Sequence, residues 1–172
     1  MFNSNKASMK SQCGGVGSTA DTDDQTGYIY NAIIEVSKAS LVDPRYILAT
    51  VMQESVGCVN VGSTNNGQTN PGIMQSANGT SFVGNSKSAD EQQASVTQMV
   101  VDGTQGTPYG SGLVQGINIY GNIYECQAAR YYNSGEVDKS DLNNKMGATA
   151  SYVSDIANRM TGWVNANSKS CS

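Results

Sequence analysis

Four cysteines in a chain without a single histidine constrain this sequence more than any other feature. Cys13, Cys58, Cys126 and Cys171 show none of the close CxxC pairing of a zinc site, and no imidazole is present to complete a mixed ligand set. Two disulfides are therefore expected. One cysteine sits near each terminus and two lie in the interior, so Cys13 with Cys171 and Cys58 with Cys126 would clamp the ends and staple the middle; the other two connectivities remain open. Disulfides persist in oxidising compartments, which points to a secreted, extracellular chain. Met1 to Gln12 is polar and lacks the apolar core of a signal peptide, so the chain reads as a mature form with a polar N-terminal extension over residues 1–22.

A length of 172 residues without repeats or a break in composition fits one domain with its own core. The hydrophobic fraction of 38% is low, and 19 glycines with many Asn, Ser and Thr residues place solvated loops between compact apolar helices. A net charge of −4 and no run of Lys or Arg argue against nucleic acid as a partner. No stretch is long enough to span a membrane. Below its pI near 4.6 the chain would turn cationic and be drawn to anionic surfaces, which favours an acidic working range.

The periodicity is mostly helical. Tyr28, Ile29, Ala32, Ile33 and Val36 share one face of a helix from Asp23 to Ser40. Asp43 and Pro44 then read as an N-cap and first helical residue, and Ile47, Leu48, Val51 and Met52 form a stripe that ends near Glu54 to Gly57. Residues 57–85 read as a long ordered loop or as short strands around Gly72 to Gln75. A third helix is expected from Ala89 to Val101, a glycine-rich segment from Gly103 to Gly116, a buried central helix from Asn118 to Tyr132, and a last helix from about Lys145 to Val164. The expected class is mainly α: a helical bundle around a central buried helix, with a loop or strand region beside a cleft.

Glu54 is the candidate for chemistry because it follows a buried apolar stripe and precedes a polar loop. The negative end of a helix dipole and partial burial both disfavour the carboxylate, raising its pKa toward that of a general acid. By position alone it reads more readily as a solvated helix-end glutamate, since most such residues are surface charges.

Three separated segments decide between these readings. Ile47-Leu48-Ala49-Thr50-Val51-Met52-Gln53-Glu54-Ser55, Gly72-Ile73-Met74-Gln75 and Ala128-Ala129-Arg130-Tyr131-Tyr132-Asn133-Ser134-Gly135 follow one another in the order of the motifs of the lytic transglycosylase and goose-type lysozyme family. The chain resembles that family over roughly residues 25–165. The resemblance implies an α+β lysozyme-like fold, a secreted muramidase acting on the MurNAc to GlcNAc backbone of peptidoglycan as a monomer, and Glu54 as the acid that protonates the glycosidic oxygen. It places Ser55, Met74, Gln75, Tyr132 and Asn133 at the substrate, with Met74 supporting its turn by packing. Tyr109 and Tyr120 could stack on sugar rings. No metal or cofactor is implied.

Glycosidases ordinarily use two carboxylates. Residues 55–79 contain no Asp or Glu; Asn65, Asn66, Ser76 and Ala77 stand where the family pattern leads one to look for acids. Three mechanisms remain: transglycosylation with Glu54 as acid and then base, assistance by the substrate's own N-acetyl oxygen, or an acid from elsewhere such as Asp90, Glu91 or Asp102. A chitinase and a non-catalytic glycan-binding protein are the alternative functions.

Overall fold

The computed structural model describes residues 1–121 and 126–162. They form α1 (Phe2–Ser11), a 3-10 turn (Cys13–Val16), α2 (Asp23–Ser40), α3 (Pro44–Ser55), a hairpin of β1 (Thr64–Asn65) and β2 (Thr69–Asn70), α4 (Ala89–Gln105), α5 (Leu113–Tyr120), α6 (Gln127–Ser134) and α7 (Tyr152–Met160). The class is mainly α with a small antiparallel ribbon, in which Thr64 faces Asn70 and Asn65 faces Thr69.

The helices begin where local chemistry satisfies their first N–H groups. Thr22 with Gln25 and Ser88 with Glu91 form capping boxes for α2 and α4, each side chain bonding the other residue's backbone N–H. Asp43 accepts from the Arg45 N–H at 2.8 Å and Pro44 supplies a preset first turn for α3.

α3 is the buried centre. Its residues from Tyr46 to Met52 are all buried, so it is covered on every side rather than along one stripe. α2 contributes Ile29, Ala32, Ile33 and Val36 to the surrounding core, α4 contributes Val96, Met99 and Val100, and α7 contributes Val153 and Ile156. Each of the Ile, Val and Met side chains contributes about 2 kcal/mol by leaving water. α2 packs on α4, α3 on α7 and α5 on α6.

Several expectations are corrected. The segment Asn118 to Tyr132 is not one central helix: α5 stops at Tyr120 before Gly121, and α6 starts after Cys126, whose left-handed φ of 63° no continuous helix can carry. The strands fall at 64–65 and 69–70, and Gly72 to Gln75 is a turn closed by the Gln75 N–H on the Gly72 carbonyl at 3.0 Å. α4 runs past Val101 to Gln105, while α7 begins only at Tyr152 because residues 136–150 fold into turns.

The N-terminal extension is a packed part of the molecule. Met9 of α1 is fully buried and the chain then turns into Cys13, which is bonded to Cys58 just beyond α3. That bridge replaces both expected pairs, Cys13 with Cys171 and Cys58 with Cys126; Cys171 lies outside the described residues. The physical reason is α1, whose Met9 packs against Gly57 just past α3 and so brings Cys13 beside Cys58. No described helix is long and apolar enough to cross a membrane.

Asp21 lies beneath this bridge. It is buried, its Oδ1 accepts from the Val59 N–H at 3.0 Å, and its Oδ2 meets no hydrogen-bond donor. Burial pushes its pKa from 3.8 up to about 7, against the smaller opposing effect of the Val59 bond. A raised carboxyl pKa means that the unfolded chain loses its proton first, so the contribution of Asp21 to stability is greatest below pH 3.8 and falls as pH rises to about 7. Asp21→Asn removes the buried charge, and its melting temperature relative to wild type should rise by about 5 °C at pH 8 and change little at pH 4. Scanning calorimetry checks this; an equal difference at both pH values would contradict it.

Candidate active site

Glu54 sits in the last turn of α3, which ends at Val56 in a left-handed conformation with φ of 59°. The turn is held from below by Ser55. Its buried hydroxyl donates to the Val51 carbonyl at 3.0 Å or the Ile73 carbonyl at 2.8 Å and accepts from the Gly57 N–H at 3.1 Å. Ser55 is therefore an internal tie between α3 and the 72–75 turn and does not line the cleft.

That turn is packed equally tightly. Gly72 has φ of 78°, and a Cβ there would come 2.5 Å from the Thr80 carbonyl oxygen. Met74 is fully buried against Gly103 of α4, where any side chain would collide with it. Met74 thus packs inside the fold and offers its carbonyl to the Tyr132 hydroxyl, and it is not among the residues that line the cleft.

Glu54 opens onto a cleft of about 420 Å³. Burial pushes its pKa from 4.5 up to about 7, and a hydrogen bond from the Tyr152 hydroxyl at 2.6 Å opposes the rise. The carboxyl is consequently half protonated near neutrality and a proton donor below it. Tyr152 was not singled out in the sequence. Its place four residues before Ile156 marks it as buried, but its partner lies 98 residues away and leaves no local signal.

Tyr132 lines the cleft beside Glu54, yet its hydroxyl donates to the Met74 carbonyl at 2.7 Å. The phenol that meets Glu54 is that of Tyr152. Burial, and next the charge of Glu54, hold the hydroxyls of both tyrosines well above the usual tyrosine pKa, so both stay protonated.

Gln75, Tyr109 and Asn133 also line the cleft. The Gln75 amide is used internally: it donates to the Gly62 and Gly72 carbonyls at 3.2 and 2.9 Å and accepts from the Thr64 N–H at 3.2 Å, pinning the hairpin to the turn. Tyr109 stands 62% exposed at the rim, which suits stacking on a sugar ring. Tyr120 is not among the lining residues; its ring packs on Tyr131, 5.7 Å between centroids, and it is Tyr131 that reaches the cleft, with its hydroxyl 3.2 Å from that of Ser111. Hairpin residues Thr64, Asn66, Gln68 and Asn70 add amides and hydroxyls.

Among the described lining residues Glu54 is the one carboxylic acid and the one charged side chain. The more distant candidates are committed elsewhere. Asp102 accepts from the Thr80 N–H and the Gln98 amide, both at 2.7 Å. Glu91 closes the α4 capping box and pairs with Lys87, and Asp90 is exposed beside it. None of the three lines the cleft. Asn66, Ser76 and Ala77 do line it and offer no acid. Among the described residues no three of His, Cys, Asp or Glu cluster as a metal site.

Comparison with family models, curated proteins and solved structures found no match to this chain.

Because the Tyr152 hydroxyl stabilises the ionised form of Glu54, removing it raises the Glu54 pKa further. In Tyr152→Phe the carboxyl should titrate above pH 7, read directly from its carbon chemical shift in labelled protein. An unchanged or lower midpoint would show that the hydrogen bond does not govern the acid.

Proposed function

We propose that this protein is a secreted muramidase that cleaves the β-1,4 MurNAc to GlcNAc backbone of peptidoglycan, with Glu54 as general acid. The observation that carries the reading is a single carboxyl group held near neutrality by burial inside a cleft lined otherwise by amides, hydroxyls and tyrosines. Such a lining hydrogen-bonds and stacks on sugars, and the acid protonates the leaving oxygen. The Cys13–Cys58 bridge is compatible with secretion.

The absence of another acid among the described lining residues favours the two one-carboxylate mechanisms. In one, Glu54 gives its proton to the leaving group and then takes a proton from the muramic 6-hydroxyl, whose oxygen closes an anhydro ring. In the other, the acetamide oxygen of the substrate attacks the anomeric carbon and water later opens the resulting ring. Both need Glu54 protonated first, so activity should fall as pH rises through about 7.

Chitin is the second reading, favoured by a specific feature: the described cleft lining holds no cation to meet the carboxylates of peptidoglycan stem peptides. Wild type and Glu54→Gln should be incubated with purified peptidoglycan and with colloidal chitin at pH 5 and pH 8, and the products identified by mass spectrometry. Muropeptides released by wild type, and reduced by at least about a hundredfold in Glu54→Gln, support the muramidase, with anhydro ends marking the first mechanism and reducing ends the second. Soluble chitooligosaccharides alone support the chitinase. No product from either polymer leaves a glycan-binding protein without turnover.

A further inference from the structure

Arg130 of α6 is fully buried, although an arginine is among the residues least often found inside. Its charge is met by neutral oxygens. Nε donates to the Leu142 carbonyl at 3.0 Å, Nη1 to the Thr149 carbonyl at 2.9 Å and Nη2 to the Ala150 carbonyl at 3.0 Å. Three points of the turns at 136–151 are thereby gathered onto α6, including Thr149, which with Ala148 forms part of the cleft wall.

The fourth partner is Asn133. Its Oδ1 accepts from Arg130 Nη1 at 3.0 Å and from the Thr149 N–H at 3.1 Å. Both neighbours are N–H groups, which can only donate, so the amide cannot be turned over without setting its own donors against theirs. With the oxygen held in this way, the Nδ2 hydrogens are what Asn133 has to offer the cleft it lines.

We propose that Arg130 is a positioning residue for the Glu54 site: it fixes the wall between α6 and α7 and locks Asn133 so that it presents hydrogen-bond donors to a carbonyl or hydroxyl oxygen of the glycan. This rests on the cleft being a glycan site and is independent of whether the glycan is cut. The fixed amide discriminates by polarity. An acceptor at that point of the sugar gains a hydrogen bond, whereas a donor there meets donors, an unfavourable contact of the kind from which polar sites draw their selectivity.

The test is isothermal titration of tetra-N-acetylchitotetraose into proteins carrying Glu54→Gln to prevent turnover, with melting temperatures in parallel. Asn133→Asp keeps an oxygen for Arg130 and Thr149 and removes the Nδ2 donors, with its added carboxylate charge met by the Arg130 guanidinium. It should keep its melting temperature while affinity falls about tenfold, the equivalent of one lost hydrogen bond. Arg130→Lys keeps the charge but not the planar fork that holds four acceptors, and should lose at least as much affinity. Where Arg130→Lys does not fold, the Asn133→Asp result decides alone. Wild-type affinity in a folded variant of either kind overturns the proposal, as does failure of the parent to bind the tetrasaccharide. Weakened binding in these variants together with no cleavage by wild type would sink the enzymatic reading and leave this one standing.

Discussion

The hydroxyl of Ser55 joins the end of the central helix to the turn at 72–75, and the geometry of the cleft depends on that joint. A helix covered on all sides from Tyr46 to Met52 has its backbone fixed by the surrounding core, and the Tyr152 hydroxyl holds the Glu54 carboxyl at the cleft. Ser55 transmits this rigidity to Ile73, and Tyr132 bonds the next carbonyl, at Met74. Gln75 then carries it into the hairpin. One serine and two flanking ties thus hold three separate stretches of chain around a single carboxyl group. The glycine at 103 belongs to the same arrangement, since it lets α4 approach closely enough to seal Met74 inside.

Two buried acids, Asp21 and Glu54, make the fold and the site respond to pH in the same direction. Both pKa values are raised to about 7 chiefly by burial. For each, the unfolded chain holds its proton less firmly than the native protein, so the native state is favoured in acid and loses stability as pH rises toward neutrality. The same protonation that spares the core a buried charge at Asp21 arms Glu54 as a proton donor. On the proposed reading, the proton that Glu54 would donate is held in the same pH range in which neither of these two buried acids costs the fold a charge.

Local chemistry was legible in the sequence and long-range pairing was not. The starts of α2 and α3 could be read because the helical period of α2 opens at Asp23 and because Asp43 and Pro44 act within two residues of themselves at α3. Glu54 was legible for a similar reason, as a carboxyl at the meeting of an apolar helix and a polar loop. The disulfide was misjudged because symmetry of the cysteines along the chain says nothing about Met9 of α1 packing against Gly57 just past α3. The split between α5 and α6 was missed because the periodicity of Ile119 and Ala129 continues across a residue, Cys126, whose left-handed backbone carries no compositional mark. Tyr152 could be placed on a buried face, but the carboxylate it serves is nearly a hundred residues away.

Arg130 and Glu54 show two solutions to burying an ionisable group. Glu54 keeps a pKa near neutrality, so its charge can be set aside by taking up a proton, and that exchange is what makes it chemically useful. A guanidinium has no such escape within the range of biological pH, and its charge must be spread over acceptors. Three backbone carbonyls, drawn from turns that have no regular structure of their own, and the amide oxygen of Asn133 on α6 supply them. The requirement to satisfy Arg130 therefore gives residues 142–150 a defined path that their composition would not impose. One wall of the cleft is shaped by an arginine that does not itself line it, just as the hairpin is held by the amide of Gln75. The site is polar toward solvent because its own polar groups are first satisfied from behind.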